Sequence, residues 1–163
     1  MSILEVFFDY ACPYCKRGHE YLVEMIKDFP NIRIEWRPCE AHPHPEPGPH
    51  SDILIQGMFY ALDHGVDIWK YHERMYKACH KDKLNREDVA AVADYAADLL
   101  NADDFIRVVG SGKYEKIQRD GNDYAYEKKG IWALPSYRIN GRKLDSVEEI
   151  GVSATQLREL LSQ

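Results

Sequence analysis

Hydrophobic positions along this chain follow two rhythms. Ile3 to Phe8 (ILEVFF) is short, β-branched and aromatic, and almost continuously apolar, the pattern of a strand covered on both faces. From Pro13 the period changes. Tyr14, Tyr21, Leu22, Met25, Ile26 and Phe29 recur at helical spacing until Pro30-Asn31 interrupts them, which predicts a helix over 13–28. Ile32, Ile34 and Trp36 then alternate with Arg33, Glu35 and Arg37 up to Pro38, predicting a second strand. Strand, helix and strand form a βαβ unit with parallel strands and a right-handed crossover.

Residues 41–50, AHPHPEPGPH, hold four of the eight prolines and no apolar period, and are expected to form a stiff, extended connection. Helical spacing returns from Ser51: Leu54, Met58, Ala61 and Leu62 up to Gly65, then Ile68, His72, Met75 and Cys79, then Val89, Val92, Ala93 and Ala96 behind Asn85 as cap. DDFIRVV after Asn101 predicts a fourth helix, and Tyr114, Ile117, Gly121, Tyr124 and Ala125 predict another over about 113–128. The period then drops back to two. Ser136 to Ile139, the Asn140-Gly141 pair and RKLDS read as a β-hairpin. Ser153 caps a last amphipathic helix through Leu157, Leu160 and Leu161.

At 163 residues the chain has material for one domain, or for a domain carrying an insertion. A net charge of -6 argues against nucleic acid and anionic membrane surfaces as partners. The N-terminus MSILEVFFDY has no basic stretch, its apolar run is broken by Glu5 and no small-residue cleavage site follows, so a cytoplasmic protein is expected. Four cysteines are too few for a disulfide framework, and in a reducing compartment a close pair points to catalysis or metal binding.

That pair is Cys12 and Cys15, in YACPYCKRG. Cys12 falls where a strand hands over to a helix, at the N-cap, with Pro13 at the first helical position. Unpaired amides and the positive end of the helix dipole favour a thiolate there, whereas Cys15, one turn inside, lacks that exposure. Cys15 is close enough to attack a mixed disulfide formed by Cys12. A zinc knuckle needs about four ligands, usually from a second CxxC or a His pair, and the chain has no second CxxC.

With CPYC at the first strand-to-helix turn and Leu134-Pro135 entering the hairpin, the sequence resembles the thioredoxin superfamily. The helical stretch between the second strand and that hairpin makes it similar to DsbA-like thiol:disulfide oxidoreductases, whose layout the 2-hydroxychromene-2-carboxylate isomerases and kappa-class glutathione transferases share. The resemblance implies an α/β thioredoxin fold (βαβ…ββα), its core at 1–40 and 113–163 and an inserted helical domain at 50–112. It implies Cys12 as nucleophile and Cys15 as resolving thiol, supported by Pro13, Tyr14, Leu134 and Pro135, with the Leu134-Pro135 bond cis and facing the sulfurs. It implies protein or small-molecule thiols and disulfides as partners, no cofactor beyond the cysteines, and glutathione as a conceivable co-substrate. One departure is the Pro-Tyr dipeptide, familiar from glutaredoxins, where periplasmic oxidants usually carry Pro-His; this implies a weaker oxidant.

Two other functions remain open. One is a glutathione-dependent isomerase or transferase on the same scaffold, for which a resolving thiol is superfluous. The other is a metal-binding module using Cys12 and Cys15 or the Cys39, His42, His44 and His50 segment, whose prolines restrict convergence. Asp9 is expected to be a strand-end acid that is solvated or a cap, with help to proton transfer at Cys15 as the functional alternative; Lys16 and Arg17 are expected to form a wet helix face, Tyr14 to be an exposed neighbour of Cys12, and Cys79 an inert core cysteine.

Overall fold

A computed structural model describes residues 1–163 as two compact units, Met1–Ala41 with Gly121–Gln163, and His42–Asp120. The first is built on a four-stranded sheet. β1 (Ser2–Phe8) pairs in parallel with β2 (Ile32–Pro38), Ser2 opposite Ile32 and Phe8 opposite Pro38. On its other side β1 pairs antiparallel with β3 (Ser136–Ile139), and β3 with β4 (Arg142–Asp145), giving the order β2-β1-β3-β4. Asn140 and Gly141 both sit at positive φ, 50° and 78°, as a two-residue hairpin turn requires.

Alternation along β1 sends its side chains to two different surroundings. Phe8 meets Trp36 edge-on at 6.0 Å, and Trp36 in turn lies 6.3 Å from His19 of α1 (Pro13–Met25). Leu4, Val6 and Phe8 are all buried. Phe7, on the opposite face, is fully buried with Cys39, Ala125 and Ile131, and Leu134 packs against that cluster. Beyond α1 a single 3-10 turn (Ile26–Asp28) completes the predicted helix. The C-terminal helix, Ala154–Ser162, packs on α1 and β4 and starts at a full capping box between Ser153 and Gln156.

In the second unit, α2 (Asp52–Asp63) packs against α3 (Ile68–His80), α4 (Val89–Tyr95) and α5 (Ala102–Gly110). Leu54, Ile55 and Met58 of α2 are fully buried, as are Tyr71, Met75 and Phe105 of its neighbours, while Cys79 is buried as expected of a core cysteine. The cap of α4 is Asp88, which accepts from the Ala90 amide at 3.0 Å; Asn85, expected to be the cap, instead opens the turn before it. α6 (Glu115–Asp123) begins in this unit and crosses the division at Gly121. Residues 113–120 were expected to belong to the sheet core, but Tyr114 donates to Asp63 at 2.8 Å and Gln118 to Asp52 at 2.6 Å, which fastens them to α2. Residues 42–49, placed by the sequence between the two parts, also cluster with the helical unit.

α6 does not continue regularly to 128. It widens into a π-helical turn, Tyr124–Lys128, which places Ala125 on Phe7. On the α1 face of the sheet, Gly18 is where the helix comes closest to Pro135 and Tyr137: a Cβ there would lie 2.6 Å from the Tyr137 hydroxyl and 3.2 Å from Pro135 Cγ. Both neighbours are buried, so neither can swing away. Gly18→Ala is therefore expected to lower stability by about 1–3 kcal/mol despite the gain in helix propensity. Urea unfolding tests this; a variant as stable as the parent would contradict the close packing.

Candidate active site

The strand-to-helix turn Asp9–Cys12 positions the sulfurs. The Cys12 amide donates to the Asp9 carbonyl at 3.1 Å, and the Cys15 and Lys16 amides both donate to the Cys12 carbonyl at 3.1 Å. Cys12 is the N-cap of α1, with extended backbone (φ −86°, ψ 119°) and exposed Pro13 at the first helical position. Its side chain is partly exposed, whereas Cys15 is 1 % exposed, and both are free thiols. Across from them the Leu134–Pro135 peptide is cis, and the Cys12 thiol donates to the Leu134 carbonyl at 3.8 Å. Cys12, Cys15, Leu134 and Pro135, far apart in sequence, thus meet at one end of the sheet.

The two thiols experience opposite environments. The Cys12 thiol is held below its ordinary pKa, first by the Cys15 thiol donating to its sulfur and secondarily by the Cys15 and Tyr14 amides, with burial and the Asp9 charge working against them. Cys15 is pushed well up, first by burial, then because its proton is engaged with Cys12 and a thiolate there repels a second one. A negative charge therefore settles on Cys12 and the proton stays on Cys15. The sequence predicts amides as the main stabiliser of the Cys12 sulfur. Instead its side chain forms no cap hydrogen bond and donates to the Leu134 carbonyl; the neighbouring thiol is the larger contribution.

Of the two expected roles, Asp9 takes that of a cap and is not solvated. It is 2 % exposed, its carboxylate accepting from the Ala11 amide at 3.0 Å and the Ala41 amide at 2.8 Å, so it clasps the cysteine turn to the chain leaving β2. Its charge opposes a thiolate on either cysteine. Two phenols share the surroundings. Burial keeps Tyr137 protonated well beyond its ordinary range, with the two cysteines adding to the effect, and does the same to Tyr126, which bonds the Glu40 carbonyl.

The helix's other early residues are tied down. Tyr14, half-buried, donates to the Glu149 carbonyl at 2.8 Å. Arg17 donates to the Ile150 carbonyl and lies over the Tyr14 ring at 5.6 Å, and Lys16 pairs with Glu20. Arg17 is therefore a structural clamp on the 147–151 turn and not a wet face.

The Cys39 and histidine segment does not converge on a metal site. Cys39 is fully buried against Phe7 and Ala125, its thiol pushed up to about 12 by burial. His42 pairs with Glu46, His44 with Asp52 and His50 with Glu87, and the His44 and His50 rings stack at 3.6 Å. No group of three or more His, Cys, Asp or Glu side chains is arranged to hold a metal ion.

Asp9→Asn removes the charge that opposes the thiolate while keeping the side chain's size. The pH midpoint for alkylation of Cys12 is expected to move down, and the dithiol to become a stronger oxidant, since a better-stabilised thiolate makes the disulfide easier to reduce. Iodoacetamide kinetics against pH check this; an unmoved or higher midpoint would contradict the role given to Asp9.

This arrangement has relatives. YwbO of Bacillus subtilis (strain 168) is 22% identical over 173 aligned residues, covering 83% of this chain and 86% of YwbO. Among solved structures, MdbA, a thiol-disulfide oxidoreductase from Actinomyces oris, superposes with a TM-score of 0.68 at 20% identity, over 99% of this chain and 80% of MdbA. A 2-hydroxychromene-2-carboxylate isomerase superposes with a TM-score of 0.75 at 12% identity, over 98% of this chain and 93% of the isomerase. At these identities the two structures share the fold with this chain. Residues 3–162 match the family described as the DSBA-like thioredoxin domain, and the chain belongs to that family.

Proposed function

We propose that this chain is a thiol:disulfide oxidoreductase in which Cys12 is the nucleophile and Cys15 the resolving thiol. The observation that carries this is the division of labour between the sulfurs: a partly exposed Cys12 held below its ordinary pKa, backed by a buried Cys15 held above. The Cys12 thiolate attacks one sulfur of a substrate disulfide, forming a mixed disulfide and expelling the other substrate sulfur as a thiolate, which takes up a proton. Cys15 then gives up its proton and attacks the Cys12 sulfur. A Cys12–Cys15 disulfide forms, and the second substrate sulfur departs and is protonated. Two electrons pass from the dithiol to the substrate, and the reverse sequence oxidises a substrate dithiol.

The Leu134 carbonyl accepts from the Cys12 thiol at 3.8 Å; in this reading Leu134, the cis Pro135 that follows it and Tyr14, two residues from Cys12, bound the space a substrate enters. The Pro-Tyr dipeptide and the opposing Asp9 charge both favour a weak oxidant, which reduces or exchanges disulfides of proteins or small thiols in the cytoplasm, with glutathione as a candidate electron donor. The isomerase reading keeps the nucleophilic sulfur but gives Cys15 no task.

Cys15→Ser separates these readings. It is expected to accumulate a mixed disulfide through Cys12, seen by mass spectrometry, and to lose disulfide reduction, while Cys12→Ser forms no adduct. Equilibration of the parent with glutathione buffers is expected to give a potential roughly between -270 and -200 mV. Absence of a two-electron couple, or a Cys15→Ser variant that turns over a small-molecule isomerisation at the parental rate, would overturn the proposal.

A further inference from the structure

A second feature of the sheet unit lies away from the sulfurs. On the face of the sheet that carries Phe7, β1 runs out of apolar cover toward its start. Phe7 is fully buried, Glu5 has a 14 % exposed side chain and Ile3 is 42 % exposed. The register lines up Glu35, Glu5, Arg138 and Lys143 in one row across all four strands. Over this end opens a cleft of about 530 Å³, bounded by the Asn140-Gly141 turn on one side and by Tyr124 and Lys129 on another.

The charges lining this cleft are unbalanced. Arg37, Lys129, Arg138 and Lys143 face two carboxylates, Glu5 and Glu35, in a chain whose net charge is -6. Those carboxylates are already engaged. Glu5 accepts from Arg37 at 2.9 Å and from the Tyr124 hydroxyl, with Lys129 at 3.7 Å; Glu35 pairs with Arg33 at 3.2 Å. Arg138 is matched by Asp145 at 2.7 Å. Arg142, in register with Ile139 and Leu4 on the other face of the sheet, donates to the Leu160 carbonyl and, at 2.8 Å, to the main-chain oxygen of Gln163, so its guanidinium is turned away from this row; no carboxylate pairs with Lys143. Tyr124 adds a flat floor, with Arg37 at 4.6 Å and Lys129 at 5.6 Å over its ring.

Like charges gathered in a concave, partly desolvated surface focus a positive potential that recruits anions. The cations stand on two banks, Arg37 and Lys129 beside β2 and Lys143 on β4, with two strands between them. Adjacent strands are about 4.8 Å apart, so one small anionic group does not bridge the banks, whereas a molecule with two separated anionic groups does. The volume suits an organic metabolite better than a polymer. We propose that this cleft is a binding site for a small organic polyanion, carrying phosphate or carboxylate groups at two points and lying with its body between the two banks. None of the residues lining the cleft belongs to the cysteine turn or to the Leu134-Pro135 pair. The site is independent of the redox proposal.

Isothermal titration calorimetry with fructose 1,6-bisphosphate, citrate and inorganic phosphate tests this on the full chain. At low salt, the bisphosphate or citrate is expected to bind with a dissociation constant of about 1 mM or tighter, and inorganic phosphate at least about tenfold more weakly. Which of the two binds better assigns phosphate or carboxylate chemistry to the site. Lys143→Glu is expected to weaken that binding by about tenfold or more, with amide chemical shifts of the bound parent moving at 124–129 and 138–143. Lys129→Gln, which leaves Glu5 its Arg37 partner, gives a second reading if the first variant is unstable. Heats indistinguishable from dilution for both organic probes, or binding that neither variant weakens, would overturn the proposal.

Discussion

The proposed chemistry rests on one juxtaposition, the partly exposed Cys12 sulfur at the mouth of α1 and the buried Cys15 thiol one turn inside it. A charge on Cys12 is favoured first by the neighbouring Cys15 thiol and then by the Cys15 and Tyr14 amides, and a charge on Cys15 is disfavoured because burial removes its solvation. Fold elements serve this asymmetry. Pro13 starts α1 directly after Cys12, so the first sulfur stays at the helix mouth and the second falls inside. Gly18 lets the same helix lie against Pro135 and Tyr137, and that contact closes the protein side of Cys15's surroundings.

Asp9 works in the opposite direction. Its carboxylate fastens the cysteine turn to the Ala41 amide, a mechanical service, while its charge makes a thiolate on either cysteine less favourable. Stabilisation by Cys15 and two amides outweighs that opposition at Cys12 but does not erase it. In the proposed function, this opposition is what keeps the dithiol from being a strong oxidant.

Much of this was legible from local pattern. The βαβ unit, the Asn140-Gly141 turn, the Ser153 cap and the N-cap position of Cys12 each follow from residues within a few positions of one another, where period and turn chemistry speak directly. What escaped depends on distant partners. The burial of Asp9 is decided by an amide 32 residues away, and Arg17 becomes a clamp through a carbonyl 133 residues on. The amphipathic stripe over 113–128 is real, but periodicity could not foresee that it would widen into a π-turn at Tyr124 over Phe7. Nor could it show that Tyr114 and Gln118 would attach to α2. Asn85 and Asp88 are both competent caps, and only the path of the preceding turn chose between them.

The most direct test is residue-resolved titration of the reduced protein, following alkylation of Cys12 and Cys15 by mass spectrometry from acid to alkaline pH. The structure predicts that Cys12 alkylates first, with a midpoint below the roughly 8.5 of a free cysteine, while Cys15 stays protected well past that pH. Equal reactivity of the two sulfurs, or a Cys12 midpoint at or above the ordinary value, would contradict the charge division on which the account stands.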